Sequence, residues 1–237
     1  LNCDVGFCFY EDSLDTVKRA IESLRNHVRY IYAIDGKFEF YDSEQKLSSG
    51  MVRDYLSSID NVVLVDAPNL KENDKRQIYL DLAGEHKSDY LLIIDADCFA
   101  TDDTDWDGFY DDLESLQTQE VKPKVYCIGV QTTDKTSWFP LLWYRPYLLK
   151  YLKTHNFWED TTDGTIYKST NDGTRAAHIF IKSNDKLRTE NYLVKSRAYQ
   201  GRLMEYEKPY KERYRRVAKN VSQPKDYGYL PSGVPLM

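Results

Sequence analysis

Asp95 and Asp97 stand one residue apart near the end of "YLLIIDADCF" (90–99), directly after Leu91, Leu92, Ile93 and Ile94. Four apolar residues in a row read as a buried strand. Two carboxylates at the end of an extended strand can reach one cation, directly or through water. Mg²⁺ and Mn²⁺ favour oxygen ligands and bind through one or two carboxylates plus substrate phosphates. A cation held there would neutralise a diphosphate leaving group and act as a Lewis acid. The plainer alternative is that Asp95 caps a turn and Asp97 faces solvent, because the Asp-x-Asp triplet is short and common.

Other charged residues fall at matching places. Asp35 ends "YIYAIDG" and could accept hydrogen bonds from a base or ribose edge; as a residue before Gly36 it is also an ordinary turn former. Lys75 and Arg76 open the helix preceding the Asp-x-Asp strand, where cations oppose the helix dipole. They call for a partner: a phosphate, a base or a carboxylate, with Glu72 and Asp74 the nearest in sequence.

These residues need a scaffold. Strands are expected at 3–10, 28–35, 61–67, 88–97 and 124–132, with helices at 11–27, 51–59, 72–86 and 104–117. Ser13 or Asp12 is the expected N-cap of the first helix. Strands alternating with helices indicate an α/β domain with a largely parallel sheet and helices on both faces. Such sheets bind ligands off the carboxyl ends of their strands, and Asp35, Asp66, Asp95 and Asp97 all fall at such ends. Beyond residue 132 the pattern is less regular. A strand is expected at 175–183 and one or two helices at 184–220, broken near Pro209.

Taken together, "AIESLRNHVRYIYAIDG" and "NDKRQIYLDLAGEHKSDYLLIIDADCF" resemble the N-terminal half of a family 2-type glycosyltransferase with the GT-A fold, over roughly residues 3–132. A helix leads to a strand ending in Asp, and a Lys-Arg helix leads to an apolar strand ending in Asp-x-Asp. Two stretches depart from the family pattern. "FYEDS" stands where an Asn-Glu pair usually follows the first strand, and "GKFEFYDS" follows Asp35 in place of small polar residues.

The resemblance implies a Rossmann-like, mostly parallel mixed sheet, a nucleotide-sugar donor and a Mn²⁺ or Mg²⁺ ion. It implies a nucleotide-sugar-binding half at 1–132, an acceptor half at 133–183, and a C-terminal helical extension and tail at 184–237. Asp35 would contact base or ribose, Lys75 or Arg76 would support the nucleotide pocket, and Asp95 and Asp97 would hold ribose and metal-diphosphate. By looser analogy Arg145 would contact donor phosphate or sugar, His155 would face the acceptor, and Trp158 would form a pocket wall. Asp160, Glu159 or Asp163 would act as general base in an inverting transfer, Asp160 being preferred. His178 would complete the metal shell.

Composition sets outer bounds. The 237 residues include 20 tyrosines and carry a net charge of −6, which discourages non-specific nucleic-acid binding by the whole surface. Lys and Arg concentrate between 186 and 216, where a helix could pair with its own glutamates or touch a membrane surface or anionic acceptor. No stretch approaches the ~20 apolar residues of a membrane span. Cys3, Cys8, Cys98 and Cys127 form no CxxC pair and read as free thiols. A cytoplasmic enzyme is expected, with a hydroxyl acceptor that could be a glycan, a lipid-linked group, a protein or a nucleic acid. A nucleotidyltransferase lacks its Gly-rich basic loop here, and a non-catalytic nucleotide-sugar-binding module sits poorly with an intact Asp-x-Asp.

Overall fold

The computed structural model describes residues 1–39, 43–118, 125–131, 136–152, 157–168 and 175–183. The first half is a run of strand–helix units. Strands β1 (Cys3–Phe9), β2 (Ile31–Asp35), β3 (Val62–Asp66) and β4 (Tyr90–Ile93) alternate with helices α1 (Leu14–Glu22), α2 (Gly50–Ser57) and α3 (Glu72–Glu85). Ser13 is the N-cap of α1, its side chain accepting from the Thr16 amide. A short strand β5 (Cys98–Ala100), helix α4 (Trp106–Gln117), and strands β6 (Val125–Gln131), β7 (Thr136–Tyr144) and β11 (Arg175–Ser183) complete the main sheet. Strands β8 (Leu149–Tyr151), β9 (Phe157–Asp160) and β10 (Ile166–Lys168) form a separate three-stranded sheet.

The main sheet has eight strands in the order β3-β2-β1-β4-β7-β6-β11-β5. β3, β2, β1 and β4 are parallel neighbours, whereas β7 runs against both β4 and β6, and β5 runs against β11. This is the mostly parallel mixed sheet expected above. The chain steps outward from β1 to β2 to β3, then returns to place β4 on the other side of β1. Right-handed crossovers place helices on opposite faces when the direction of travel reverses. Accordingly α1, α2 and α4 cover one face, burying Val17, Ile21, Val52, Leu56, Phe109 and Leu113. On the other face α3 and the small sheet bury Tyr79, Leu80, Ala83, Leu149, Tyr151 and Trp158.

β1 is the axis of the sheet and is buried along nearly all its length. Gly6 is required there: a Cβ would lie 2.6 Å from the Tyr79 ring, so any side chain would push α3 off the sheet. The crevice between the carboxyl ends of β1 and β4 is the switch point of the topology, where open α/β sheets bind ligands. Among the described residues no helix is long and apolar enough to cross a membrane, and the four cysteines are free. The expected basic helix and tail at 184–237 lie outside the described residues.

Candidate functional site

The Asp-x-Asp segment is a corner, not the end of one long strand. β4 stops at Ile93, although the Ile94 amide still donates to the Gly6 carbonyl at 3.1 Å. The Cys98 amide then donates to the Asp95 carbonyl at 2.9 Å, closing a four-residue turn, and β5 leaves antiparallel to β11. The expectation of a continuous strand from 88 to 97 is thereby corrected. The carboxylates converge because the backbone turns, not because it stays extended. Oxygens of Asp95 and Asp97 and Sγ of Cys98 all lie within 4.8 Å of one another. Asp95 is exposed, Asp97 half-buried and Cys98 buried. Two hard oxygen donors on an accessible corner suit Mg²⁺ or Mn²⁺. The Cys98 thiol donates to Asp97 Oδ1, 3.9 Å away, so it sits beside a candidate ligand oxygen as a weak donor.

α3 aims a cation at this corner. Arg76 Nε donates to Glu72 Oε1 at 2.8 Å, Nη1 to the Tyr79 hydroxyl at 3.3 Å, and Nη2 to Asp95 Oδ1 at 3.2 Å. Burial works against the charge, but Tyr79, Glu72 and Asp95 around it hold the guanidinium's pKa well above its usual value. The partner that the sequence demands for Arg76 is therefore double: the helix neighbour Glu72 and a candidate metal ligand. Lys75 is fully buried. Its Nζ donates to the Gly36 carbonyl and lies 4.0 Å from the centre of the Phe38 ring. It braces the loop after β2 from beneath. Gly36 itself has φ +135°, and a Cβ there would lie 2.8 Å from the Pro68 backbone.

At the ends of β2 and β3 the structure adds a residue that the sequence reading missed. Asp35 and Asp66 are register partners, and Arg53 of α2 bridges them, Nη1 to Asp35 Oδ2 at 2.5 Å and Nη2 to Asp66 Oδ1 at 2.8 Å. Ser48 adds its hydroxyl to Asp35 Oδ1 at 2.6 Å and its amide to both oxygens at 3.2 Å. Asp35 has no exposed surface, whereas the Asp66 side chain is 52% exposed. The expected contact between Asp35 and a base thus meets a carboxylate already engaged on both oxygens. Arg53 carries no local sequence signal, because its role depends on where α2 packs.

The remaining expected site residues fall elsewhere. Arg145, with φ 45°, caps the turn that starts at Pro146, and its amide donates to the Asp89 carbonyl. Tyr144 pairs with Tyr90, so Arg145 lies at the amino end of β4, about 20 Å along the strand from Asp95 at ~3.3 Å per residue. That distance takes it away from a phosphate held at the corner.

The small sheet makes a similar correction. Tyr147 lies against Gly84 near the end of α3, and the Tyr151 amide donates to Gln77 Oε1 at 3.0 Å. β8 therefore runs back along α3 toward the corner. β9 reverses, pairing Trp158 with Tyr151 and Asp160 with Leu149, so Glu159, Asp160 and Asp163 are carried away from Asp95. Asp160 is buried, its Oδ1 accepting from the Thr162 amide at 2.9 Å and hydroxyl at 2.5 Å. Asp163 Oδ1 accepts from the Thr165 amide at 2.8 Å. These are turn-forming carboxylates, not a base facing the corner. Trp158 is core, its ring 5.0 Å from that of Trp143, and offers no wall to an acceptor. His155 lies outside the described residues.

For His178 the strand register gives the backbone position. Ser183 pairs with Cys98, and the stretch from Phe180 back to Ala176 spans only one register step on β6, Gly129 to Ile128, so His178 lies roughly 10–13 Å back along the strand axis, in that irregular stretch. That register does not lay its backbone alongside Asp95 and Asp97.

No family model matches the chain, and no curated protein matches it. Solved structures similar to it include S. aureus TarS, with a TM-score of 0.39 and 10% identity over 57% of this chain and 22% of that one. For TarS residues 1–349 the TM-score is 0.41, with 11% identity over 57% of this chain and 37% of that one. A nucleotide-diphospho-sugar transferase of Desulfovibrio desulfuricans G20 is similar with a TM-score of 0.38 and 8% identity, over 62% of this chain and 65% of that one. In each case the similarity spans less than two thirds of the solved chain's length.

Proposed function

We propose that this chain is a metal-dependent glycosyltransferase that moves a sugar from a nucleoside-diphosphate sugar to a hydroxyl acceptor. The observation that carries the reading is the Asp95–Cys98 corner. Two carboxylates converge on an accessible turn at the switch point of the sheet, with Arg76 beside them. A bound Mg²⁺ or Mn²⁺ would supply neutralisation of the departing diphosphate.

The chain's own residues do the rest. Asp95 and Asp97 would hold the cation. Arg76 is kept charged and oriented by Glu72 and Tyr79, within reach of a phosphate that neighbours Asp95. Lys75, tied to the Gly36 carbonyl, fixes the loop that floors the nucleotide side. In the inverting course proposed here, the acceptor oxygen bonds to the anomeric carbon as the bond from that carbon to the diphosphate oxygen breaks. The hydroxyl proton passes to a carboxylate base, which the register does not place at Glu159, Asp160 or Asp163.

The test is release of nucleoside diphosphate from UDP-, GDP- and dTDP-sugars with Mn²⁺. Wild-type protein turns over at least one donor, and Asp97→Ala does not. No turnover together with no nucleoside-diphosphate binding overturns the reading, and full activity of Asp97→Ala removes the metal role.

A further inference from the structure

We infer that Asp66, held by Arg53, reads the nucleobase of the donor, and that the base it accepts presents a lactam edge, a ring N–H beside a carbonyl. The inference rests on the transferase reading above and deepens it. Its starting point is the unequal state of two neighbouring carboxylates. An ionised carboxylate offers about four acceptor directions. Asp35 has the Ser48 hydroxyl and amide and the Arg53 guanidinium on its two oxygens, and none of its surface is exposed. A ligand N–H has no approach to it. Asp66, its register partner on β3, is more than half exposed, and its one ion pair among the described residues, to Arg53, uses Oδ1. Its Oδ2 accepts no hydrogen bond among the described residues.

Arg53 supplies the complementary half. Its side chain is 24% exposed, and a guanidinium carries five N–H donors, of which the two ion pairs use only part. An acceptor-only carboxylate next to a donor-only guanidinium matches a ring N–H next to a carbonyl oxygen. Uracil, thymine and guanine present that edge; adenine and cytosine pair an amino group with a bare ring nitrogen. Position agrees with this. From β3 across β2 and β1 to β4 is three strand spacings, about 14 Å, so a nucleoside diphosphate lying across the strand ends would join Asp66 to the Asp95 corner. Asp35 then acts as a positioning residue: it anchors Arg53 and is not itself in contact with the ligand.

Calorimetric titration of the full chain with UDP, dTDP, GDP, ADP, CDP and inorganic pyrophosphate, each with Mn²⁺, tests this. Wild-type protein prefers one of UDP, dTDP and GDP. Asp66→Asn weakens that ligand by about tenfold, the scale of one charge-assisted hydrogen bond. It also narrows the spread across the five nucleotides and leaves pyrophosphate binding unchanged. Arg53→Lys, which keeps the charge but loses the fork, narrows the spread in the same way. Preference for ADP or CDP, an unchanged ranking in Asp66→Asn, or an equal loss of pyrophosphate and nucleotide binding overturns the inference while the transferase reading stands. Failure of wild-type protein to bind any nucleoside diphosphate is the distinct result that overturns the transferase reading, and this inference with it.

Discussion

The two ends of the parallel strands use aspartate in opposite ways. At the amino end, Asp4 of β1 is fully buried. It accepts from Arg29 Nε at 3.1 Å and Nη2 at 2.8 Å, from the Tyr30 amide at 3.1 Å, from the Tyr32 hydroxyl at 2.8 Å, and from the Ser88 hydroxyl. At the carboxyl end, the Asp95 side chain is 69% exposed, with one guanidinium at 3.2 Å. A carboxylate surrounded by donors is committed to structure, since desolvation is tolerable only when every acceptor is satisfied. An exposed one with open acceptor directions costs little to keep and can take a ligand. The difference separates fold from function within one sheet, and it can be broken by experiment.

The largest effect is expected at the amino end. Asp4→Ala leaves the Ser88 hydroxyl and the Tyr30 amide without the Asp4 acceptor, the Tyr32 hydroxyl with its His86 partner but not Asp4, and Arg29 without its ion pair. Urea unfolding is expected to show a loss of about 3–4 kcal/mol, with Mn²⁺ affinity of the folded protein retained. Asp97→Ala is the mirror image. Its stability is expected to fall by much less than that of Asp4→Ala, by about 1 kcal/mol or less. Its Mn²⁺ affinity in the presence of nucleoside diphosphate falls on the order of 100-fold, the upper end of what even an outer-shell partner can cost. If both variants lose stability alike, the corner is a structural turn and the contrast between the two ends fails.

How much of this was legible depends on how local each cause is. The strand–helix alternation, the Ser13 cap and the positions of Asp35, Asp66, Asp95 and Asp97 at strand ends follow from periodicity and nearest neighbours. The break at Asp95 does not, because "YLLIIDADCF" is equally apolar on both sides of the turn. Its cause is the pairing of β5 with β11, some 80 residues away. The placement of Glu159, Asp160 and Asp163 also escaped, since their spacing is compatible with a site and only the direction of β8 along α3 moves them away. Asp4 carries a signal in the sequence: a lone charge inside "CDVGFCF" must be paired if the strand is buried. At His178 a strand and a ligand type are legible, but the register shift between Ala176 and Phe180 is not.

Arg76 is the point where the carboxyl end is partly committed, and it sharpens the comparison. Its guanidinium occupies one acceptor direction of Asp95 and places a positive charge beside any incoming cation. Arg76→Gln is expected to tighten binding of Mn²⁺ alone by up to about tenfold, modest against the ~4 kcal/mol attraction or repulsion of unit charges at 4 Å in a partly screened site. The same change weakens binding of nucleoside diphosphate with Mn²⁺, because the phosphate loses a donor. Titration of both ligands reads the two shifts. Unchanged affinity for Mn²⁺ alone would show that Arg76 serves α3 and not the site.

The smallest effect compares two thiols on the same strand. Cys3 lies at the amino end of β1 and Cys8 at the carboxyl end. Burial pushes both thiols up, and the Asp4 charge adds to the rise at Cys3. Cys8 reaches only about 11, because Lys75 and Arg76 favour its thiolate and offset part of the burial. A thiol pKa raised on folding stabilises the folded state below the unfolded value. That contribution is lost as pH climbs through the folded value, here between about 8.5 and 11. Alkylation follows the thiolate, so iodoacetamide at pH 8 should modify Cys8 several hundredfold more slowly than a free thiol, and Cys3 more slowly still. The Cys8 rate should rise steeply toward pH 11, as followed by mass spectrometry of the modified peptides. Arg76→Gln removes one of the two cations, so the Cys8 rate at fixed pH should fall and that of Cys3 should not move. If Cys3 reacts first, or if Arg76→Gln changes both thiols equally, the two ends of β1 do not differ electrostatically as the cations of α3 require.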